Sequence, residues 1–184
     1  MDYNELQFRL KELGINLSVG TLLRYRRVGL LPEAEKTHGG RGQGPGIDFP
    51  VEALAEAYAN WELFNNELKP KTETVVKARQ IALEALKLND VLALIPRNHD
   101  VFNLLEDRKQ YSFLKDCTPQ IQNLAVDWLI CREIIRQGFN PKQRCYAIFL
   151  DTVTILSSTG NKGEDQKNLS EYQEKGAFTY IHEP

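Results

Sequence analysis

The sequence predicts a mainly α-helical protein, with an N-terminal winged helix-turn-helix that carries a small β wing and a C-terminal all-helical domain. Three observations predict this fold class. Two short helical patterns lie close together at the start of the chain, a glycine-dense segment follows them, and apolar residues recur at helical spacing through most of the remainder. The 184 residues are enough for a real core, and 42% of them are hydrophobic.

A helix predicted at residues 18 to 31 is the most informative stretch of the chain. Ser18 suits its N-cap, because a serine hydroxyl accepts a hydrogen bond from an unpaired amide of the first turn. Gly29 suits its C-terminal end, where a left-handed backbone costs glycine little, and Pro32 blocks any continuation. A helix over residues 4 to 13 and a turn that contains glycine precede it, so the pair has the layout of a helix-turn-helix.

The segment at residues 38 to 46 is too rich in glycine to form the interior of a helix. Because it follows the helix-turn-helix, we interpret it as a two-stranded wing that returns through Gly46-Ile47-Asp48-Phe49. A wing tip without side chains approaches DNA closely. A flexible loop without a partner is the alternative interpretation.

Further helices are predicted from apolar residues at helical spacing and from start and stop signals such as Pro50 and Gly138. They cover residues 50–68, 72–88, 100–115, 118–138 and 140–156, with a short apolar run at 91–95. The predicted domains are a winged helix-turn-helix at 1–69, a helical dimerisation, effector or partner domain at 70–156, and a flexible C-terminal tail at 157–184.

Charge and hydropathy indicate which partners the protein is expected to contact. The formal net charge is -2, but residues 24 to 45 hold five Lys/Arg against two Glu, a local charge of +3. No apolar run approaches the roughly 20 residues that span a bilayer, and the N-terminus does not resemble a signal peptide, so we expect a cytoplasmic protein without membrane contact.

No catalytic, cofactor or metal motif is present in the sequence, so we expect neither an enzyme nor a cofactor. The histidines lie far apart, and the spacing of Cys117, Cys131 and Cys145 does not fit a zinc site. We expect these cysteines to be buried, reduced thiols.

The first 68 residues resemble the MerR family of bacterial transcription regulators. The resemblance rests on Ser18-Val19-Gly20-Thr21-Leu22, then Tyr25 and Arg27, then Gly29-Leu30-Leu31-Pro32, followed by the wing, Phe49 and a Val-Glu-Ala-Leu helix start. The chain departs from the family at Gly20, where arginine is common, at Arg24-Tyr25, where two tyrosines are common, and in its longer wing. After Lys69 the resemblance fades.

The resemblance implies a dimer that binds a pseudo-palindromic operator in double-stranded DNA and acts on transcription by bending or untwisting it. The helix from about Lys71 to Leu88 would then serve dimerisation, with an unknown small-molecule effector or protein partner on the helical half. Val19, Gly20 and Thr21 would lie near base edges. The candidate DNA-binding residues are Ser18, Val19, Gly20, Thr21, Arg24, Tyr25, Arg26, Arg27, Lys36, His38 and Arg41.

Several alternatives remain open at this point. The arginines would contact phosphate or form a solvated charged face, and Thr21 would contact a base or only cap its helix. Tyr25 would donate its hydroxyl to a phosphate or bury its ring under the wing. The alternative function is a DNA-binding module without a regulatory role, of the phage excision or chromosome-anchoring type, whose helical half binds a partner. A third alternative is that the N-terminal domain no longer binds DNA and is reused for contacts with other proteins.

Overall fold

The computed structural model describes residues 1–37, 46–95, 111–115 and 117–183. This part of the chain is mostly helical, with six α-helices and two small antiparallel sheets. No described helix is long and apolar enough to cross a membrane. The helices are α1 (Tyr3–Glu12), α2 (Val19–Arg27), α3 (Glu52–Asn65), α4 (Thr72–Lys87), α5 (Pro119–Arg136) and α6 (Lys162–Gln173). The strands are β1 (Glu35–Thr37), β2 (Gly46–Asp48), β3 (Cys145–Phe149), β4 (Val153–Ser157) and β5 (Phe178–His182).

The N-terminal elements follow the predicted order. Helices α1 and α2 pack against each other, and β1 and β2 then form an antiparallel pair with Lys36 opposite Ile47. The side chain of Asp2 caps α1 by accepting from the amides of Asn4 and Glu5. Residues 38–45, which include most of the predicted wing tip, lie outside the described residues.

Helix α5 is the centre of the core. It packs along both α3 and α4, and its Trp128 is fully buried. Thr118 caps it by accepting from the amide of Ile121 at 3.3 Å, as a threonine before an apolar helix predicts. One hydrophobic cluster runs from Leu6 to Ile155, so the packing continues across the predicted boundary at residue 69.

The other predicted helices of the middle region have mixed outcomes. Those at 50–68 and 72–88 correspond to α3 and α4, and the apolar run at 91–95 forms a 3-10 turn at Val91–Leu94. The helix predicted at 100–115 lies mainly outside the described residues. Its last part, residues 111–115, holds a 3-10 turn at Ser112–Leu114.

The helix predicted at 140–156 is wrong, because this segment forms the hairpin of β3 and β4. Every residue of β3 is buried. A strand that is covered on both faces loses the alternation of apolar and polar residues, so its sequence cannot be told from a buried helix by periodicity. The side chain of Asn140 accepts from the amide of Lys142 at 3.0 Å and begins a turn there instead of a helix.

The predictions of an all-helical C-terminal domain and of a flexible tail at 157–184 are also wrong. Residues 162–173 form α6, and β5 pairs with β3 to complete a sheet of order β4-β3-β5. Helix α6 is mostly polar and exposed, so no apolar stripe marks it in the sequence. Strand β5 is ordered by a neighbour about thirty residues away, which local patterns do not reveal.

Asp165 attaches α6 to the sheet. Its buried carboxylate accepts from the Ser158 hydroxyl at 2.7 Å, from the amide and hydroxyl of Thr159 at 2.8 Å each, and from the Tyr146 hydroxyl at 3.0 Å. These donors, that of Ser158 first, hold the pKa of Asp165 well below its usual range. The ionised form therefore stabilises the fold, and this stabilisation is lost as the pH falls.

We expect Asp165→Asn to lower the thermal unfolding midpoint at neutral pH, because an amide nitrogen would face donors in place of an acceptor. The deficit should shrink as the pH falls below about 4, because Asp165 of the unfolded wild-type chain takes up a proton there while the folded carboxylate is still ionised, so the wild type loses this stabilisation. Thermal unfolding followed by circular dichroism at a series of pH values measures this difference. A deficit that stays constant with pH would contradict it, and the exposed neighbour Glu164→Gln is the control.

Candidate nucleic-acid interface

Helix α2 has a capping residue where it begins and a glycine turn where it ends. The Ser18 hydroxyl accepts from the amide of Thr21 at 3.1 Å, which confirms the predicted N-cap. At the other end Gly29 has a φ of +80°, a left-handed conformation that glycine adopts readily. The amide of Leu30 donates to the carbonyl of Tyr25 at 2.8 Å, and the amide of Gly29 donates to that of Arg26 at 3.1 Å. This is the Schellman pattern.

The outward face of α2 is a stripe of exposed residues at helical spacing, which we call the α2 stripe. It consists of Gly20, Leu23, Arg24 and Arg27. Leu23 is 44% exposed, although it is a large apolar residue. Two cations and an exposed leucine on one helical face form a surface suited to a charged partner that also has apolar groups.

Arg26 is directed differently from its neighbours. It is half-buried, and its Nη1 lies 3.4 Å from the Tyr3 hydroxyl. The ring of Tyr3 in turn meets the ring of Phe49 edge-on, with 4.9 Å between their centroids. Arg26 therefore links α2 to α1 and to the end of β2, and it is a less accessible cation than Arg24 or Arg27.

Tyr25 lies on the inner face of α2 and is not part of the exposed surface. Only 3% of the residue is exposed, and its ring packs 5.7 Å from that of Phe64 on α3. Burial raises the pKa of its hydroxyl. We therefore remove Tyr25 from the predicted phosphate contacts, and the helix that covers its ring is α3, not the predicted wing.

The remaining predicted contacts lie in three places. Val19 and Thr21 are half-buried in the first turn of α2, where the Thr21 hydroxyl also lies 3.0 Å from that of Ser18. Lys36 is exposed on β1. His38 and Arg41 lie outside the described residues.

The half-buried Arg79 and the fully buried Asn60 hold the turn that follows α2, and neither residue is among those predicted from the sequence. Arg79 of α4 donates through Nη1 to the carbonyl of Gly29 at 3.2 Å. Asn60 of α3 donates to the carbonyl of Leu30 at 2.6 Å and accepts from the indole nitrogen of Trp128 at 2.9 Å. The end of α2 is thus hydrogen-bonded to α3 and α4, and through Asn60 to α5.

Arg79 is itself fixed by Glu56. Its Nη2 and Nε lie 2.6 and 2.9 Å from Oε2 of that carboxylate, which is almost fully buried. Arg132 of α5 approaches the other oxygen, with Nε 3.9 Å from Oε1. Burial raises the pKa of Glu56, while the two arginines lower it. The only sequence signal for such a site is a charged residue on the inward side of a predicted helix.

The described residues hold no group of three or more His, Cys, Asp and Glu side chains that could bind a metal ion. The three cysteines are free, Cys131 and Cys145 are buried, and Cys117 is half-buried. Burial raises the pKa of all three thiols. Thiols of this kind have little thiolate character at neutral pH.

Comparisons with known proteins found no match. No family model, no curated protein and no solved structure is significantly similar to this chain.

We expect Arg79→Met to lower the free energy of unfolding by about 3 kcal/mol at neutral pH, because it leaves the buried Glu56 carboxylate with a weaker set of partners. The loss should be smaller at about pH 5, because Arg79 lowers the pKa of Glu56 and its removal raises that pKa further, so the buried carboxyl of the variant takes up a proton more readily than that of the wild type. Urea unfolding at both pH values measures the effect.

A matched control is Lys87→Met on the same helix. Lys87 is exposed and lies 3.8 Å from Glu84, so its removal should cost less than about 0.5 kcal/mol at either pH. Equal costs for the two variants would contradict the assignment of Glu56 and Arg79 as a buried ion pair.

Proposed function

We propose that this protein is a DNA-binding transcriptional regulator, in which residues 1–69 act as a winged helix-turn-helix and the α2 stripe contacts the duplex. The observation that carries the proposal is the α2 stripe itself. Its arginines are free of ion pairs among the described residues and stand on a helix that is capped at both ends. Arg24 and Arg27 would contact phosphates, and Gly20 would allow close approach of the backbone.

The hairpin of β1 and β2 supports the same proposal. It follows α2 directly, it is antiparallel, and it carries the exposed Lys36. The segment that joins its strands contains the candidate contacts His38 and Arg41. In this proposal the hairpin is the wing, and it adds contacts to the DNA backbone beside the recognition helix.

The proposed partner is operator DNA bound by a homodimer, as the resemblance implies. Two copies related by a two-fold axis would present two α2 helices to two half-sites of a pseudo-palindrome. The half-sites would be separated by about one helical turn of DNA or by a multiple of it.

The test is binding of the full chain to labelled DNA from upstream of its own gene, titrated with salt. Arg24→Ala/Arg27→Ala should weaken binding and reduce the slope of log K against log salt by about 0.9 for each phosphate that the variant no longer neutralises. Lys162→Ala/Lys167→Ala, which removes two exposed cations from α6, should leave the slope unchanged and serves as the control.

Binding that is equal for the wild type and the arginine variant would reject the α2 stripe as the interface. A preference of the wild type for the upstream DNA over a random duplex is the result expected of a regulator. Binding without that preference, at sites spread through the genome, would instead favour the non-regulatory DNA-binding alternative.

A further inference from the structure

A cleft of about 220 Å³ lies between α3, α5 and β5. Each of these three elements contributes an aliphatic and an ionisable side chain to the wall of the cleft. They are Leu63 and Glu62 from α3, Ile130 and Asp127 from α5, and Ile181 and His182 from β5. The cleft is therefore both apolar and charged, and no residue of α2 lines it.

The charged groups of this cleft are mostly negative. Glu62, Asp127 and Glu183 contribute carboxylates, and the described residues that line the cleft include no lysine or arginine. Two of the carboxylates have partners within the chain, because Glu62 accepts from the Tyr58 hydroxyl and Glu183 lies 3.3 Å from Arg144. Asp127 is half-buried and makes no hydrogen bond or direct ion pair with any described residue.

His182 is the second group of the cleft without a hydrogen-bond partner. Its Nε2 is buried, and no described residue donates to that atom or accepts from it. Buried polar atoms of native proteins are almost always hydrogen-bonded, so an unpaired one beside a cleft favours a partner from outside the chain. Two unsatisfied polar groups, one on α5 and one on β5, thus line the same space.

The electrostatics of Asp127 also favour a ligand. Burial raises the pKa of Asp127, and the imidazole of His182 lowers it only in part. Tyr180 lines the same cleft, where burial and then the carboxylate of Asp127 raise the pKa of its hydroxyl. A carboxylate that is buried without a hydrogen-bond donor costs the fold free energy, and such groups are concentrated at functional sites.

We propose that this cleft binds a small primary amine in its ammonium form, through Asp127 and His182. An ammonium group has three N–H donors and no acceptor. It donates to the carboxylate of Asp127 and to Nε2 of a neutral His182 that carries its proton on Nδ1, and it supplies the positive charge that the lining lacks. Leu63, Ile130 and Ile181 contact the hydrocarbon part of the ligand.

The lining disfavours other classes of ligand. An anion would meet three carboxylates and no lysine or arginine among the described residues of the cleft. A neutral ligand would leave the charge of Asp127 without compensation, and a metal ion would lack a group of three ligating side chains in the described part of the chain. The binding of an amine here does not rest on the proposed function, and its test contains no DNA.

The first experiment compares cyclohexylmethylamine with cyclohexylmethanol, a neutral molecule of the same size and shape. Titrations of the full chain at neutral pH, followed by NMR, should give a dissociation constant on the order of tenfold lower for the amine, because only the ammonium forms a charge-assisted hydrogen bond with Asp127. The amide signals of Asp127, Cys131 and His182 should shift as the amine binds. No saturable shift up to about 20 mM amine, or equal affinities for the two molecules, would overturn the proposal.

The second experiment repeats both titrations with two variants. Asp127→Asn should remove the preference for the amine, without a lower thermal unfolding midpoint, because it replaces a charge whose burial is unfavourable by a neutral amide of the same shape. Asp151→Asn removes an exposed carboxylate outside the cleft and should keep the full preference, so it controls for general attraction between the amine and an acidic protein. An Asp127→Asn variant that still prefers the amine would overturn the proposal.

Discussion

A carboxylate buried where three helices meet requires cationic partners, and Glu56 of α3 has one from α4 and one from α5. Moving α4 would leave the Glu56 carboxylate without the only cation that hydrogen-bonds it among the described residues, so this ion pair ties α4 to α3. Arg132 of α5 contributes less, since its Nε lies 3.9 Å from Oε1 of Glu56 and its guanidinium also pairs with Glu133 of its own helix. Arg79 also bonds the carbonyl of Gly29, and the same cluster therefore positions the end of α2. The orientation of the α2 stripe depends on this contact with residues far along the chain.

Asn60 adds a second, uncharged link between the same parts of the molecule. Its amide is satisfied on both sides, by the carbonyl of Leu30 and the indole of Trp128. Apolar side chains of equal volume would pack the helices as well, but they would not select the direction of the Leu30 carbonyl. The main effect of Asn60 is thus to fix the orientation of the turn after α2 relative to α3 and α5. A recognition surface requires side chains that are held in such a fixed orientation.

Local signals predicted the N-terminal elements because caps act over only a few residues. Ser18 and Gly29 mark the two ends of α2 as expected, and Thr118 caps the start of α5. The stripe on α2 follows from helical spacing once the buried positions are known. The assignment of Tyr25 to the surface was wrong. A tyrosine fits both an exposed and a buried position, and only the packing of Phe64 of α3 against its ring decides between them.

The sequence by itself determined where the first helices begin and end and that α2 carries a concentration of arginine. Only the tertiary structure decided that residues 145–157 form strands, that β5 joins them, and that Arg79 and Asn60 hold the turn after α2. The reason is physical. Capping and helical spacing are encoded within one or two turns, whereas strand pairing and buried polar contacts depend on residues that folding brings together from distant positions.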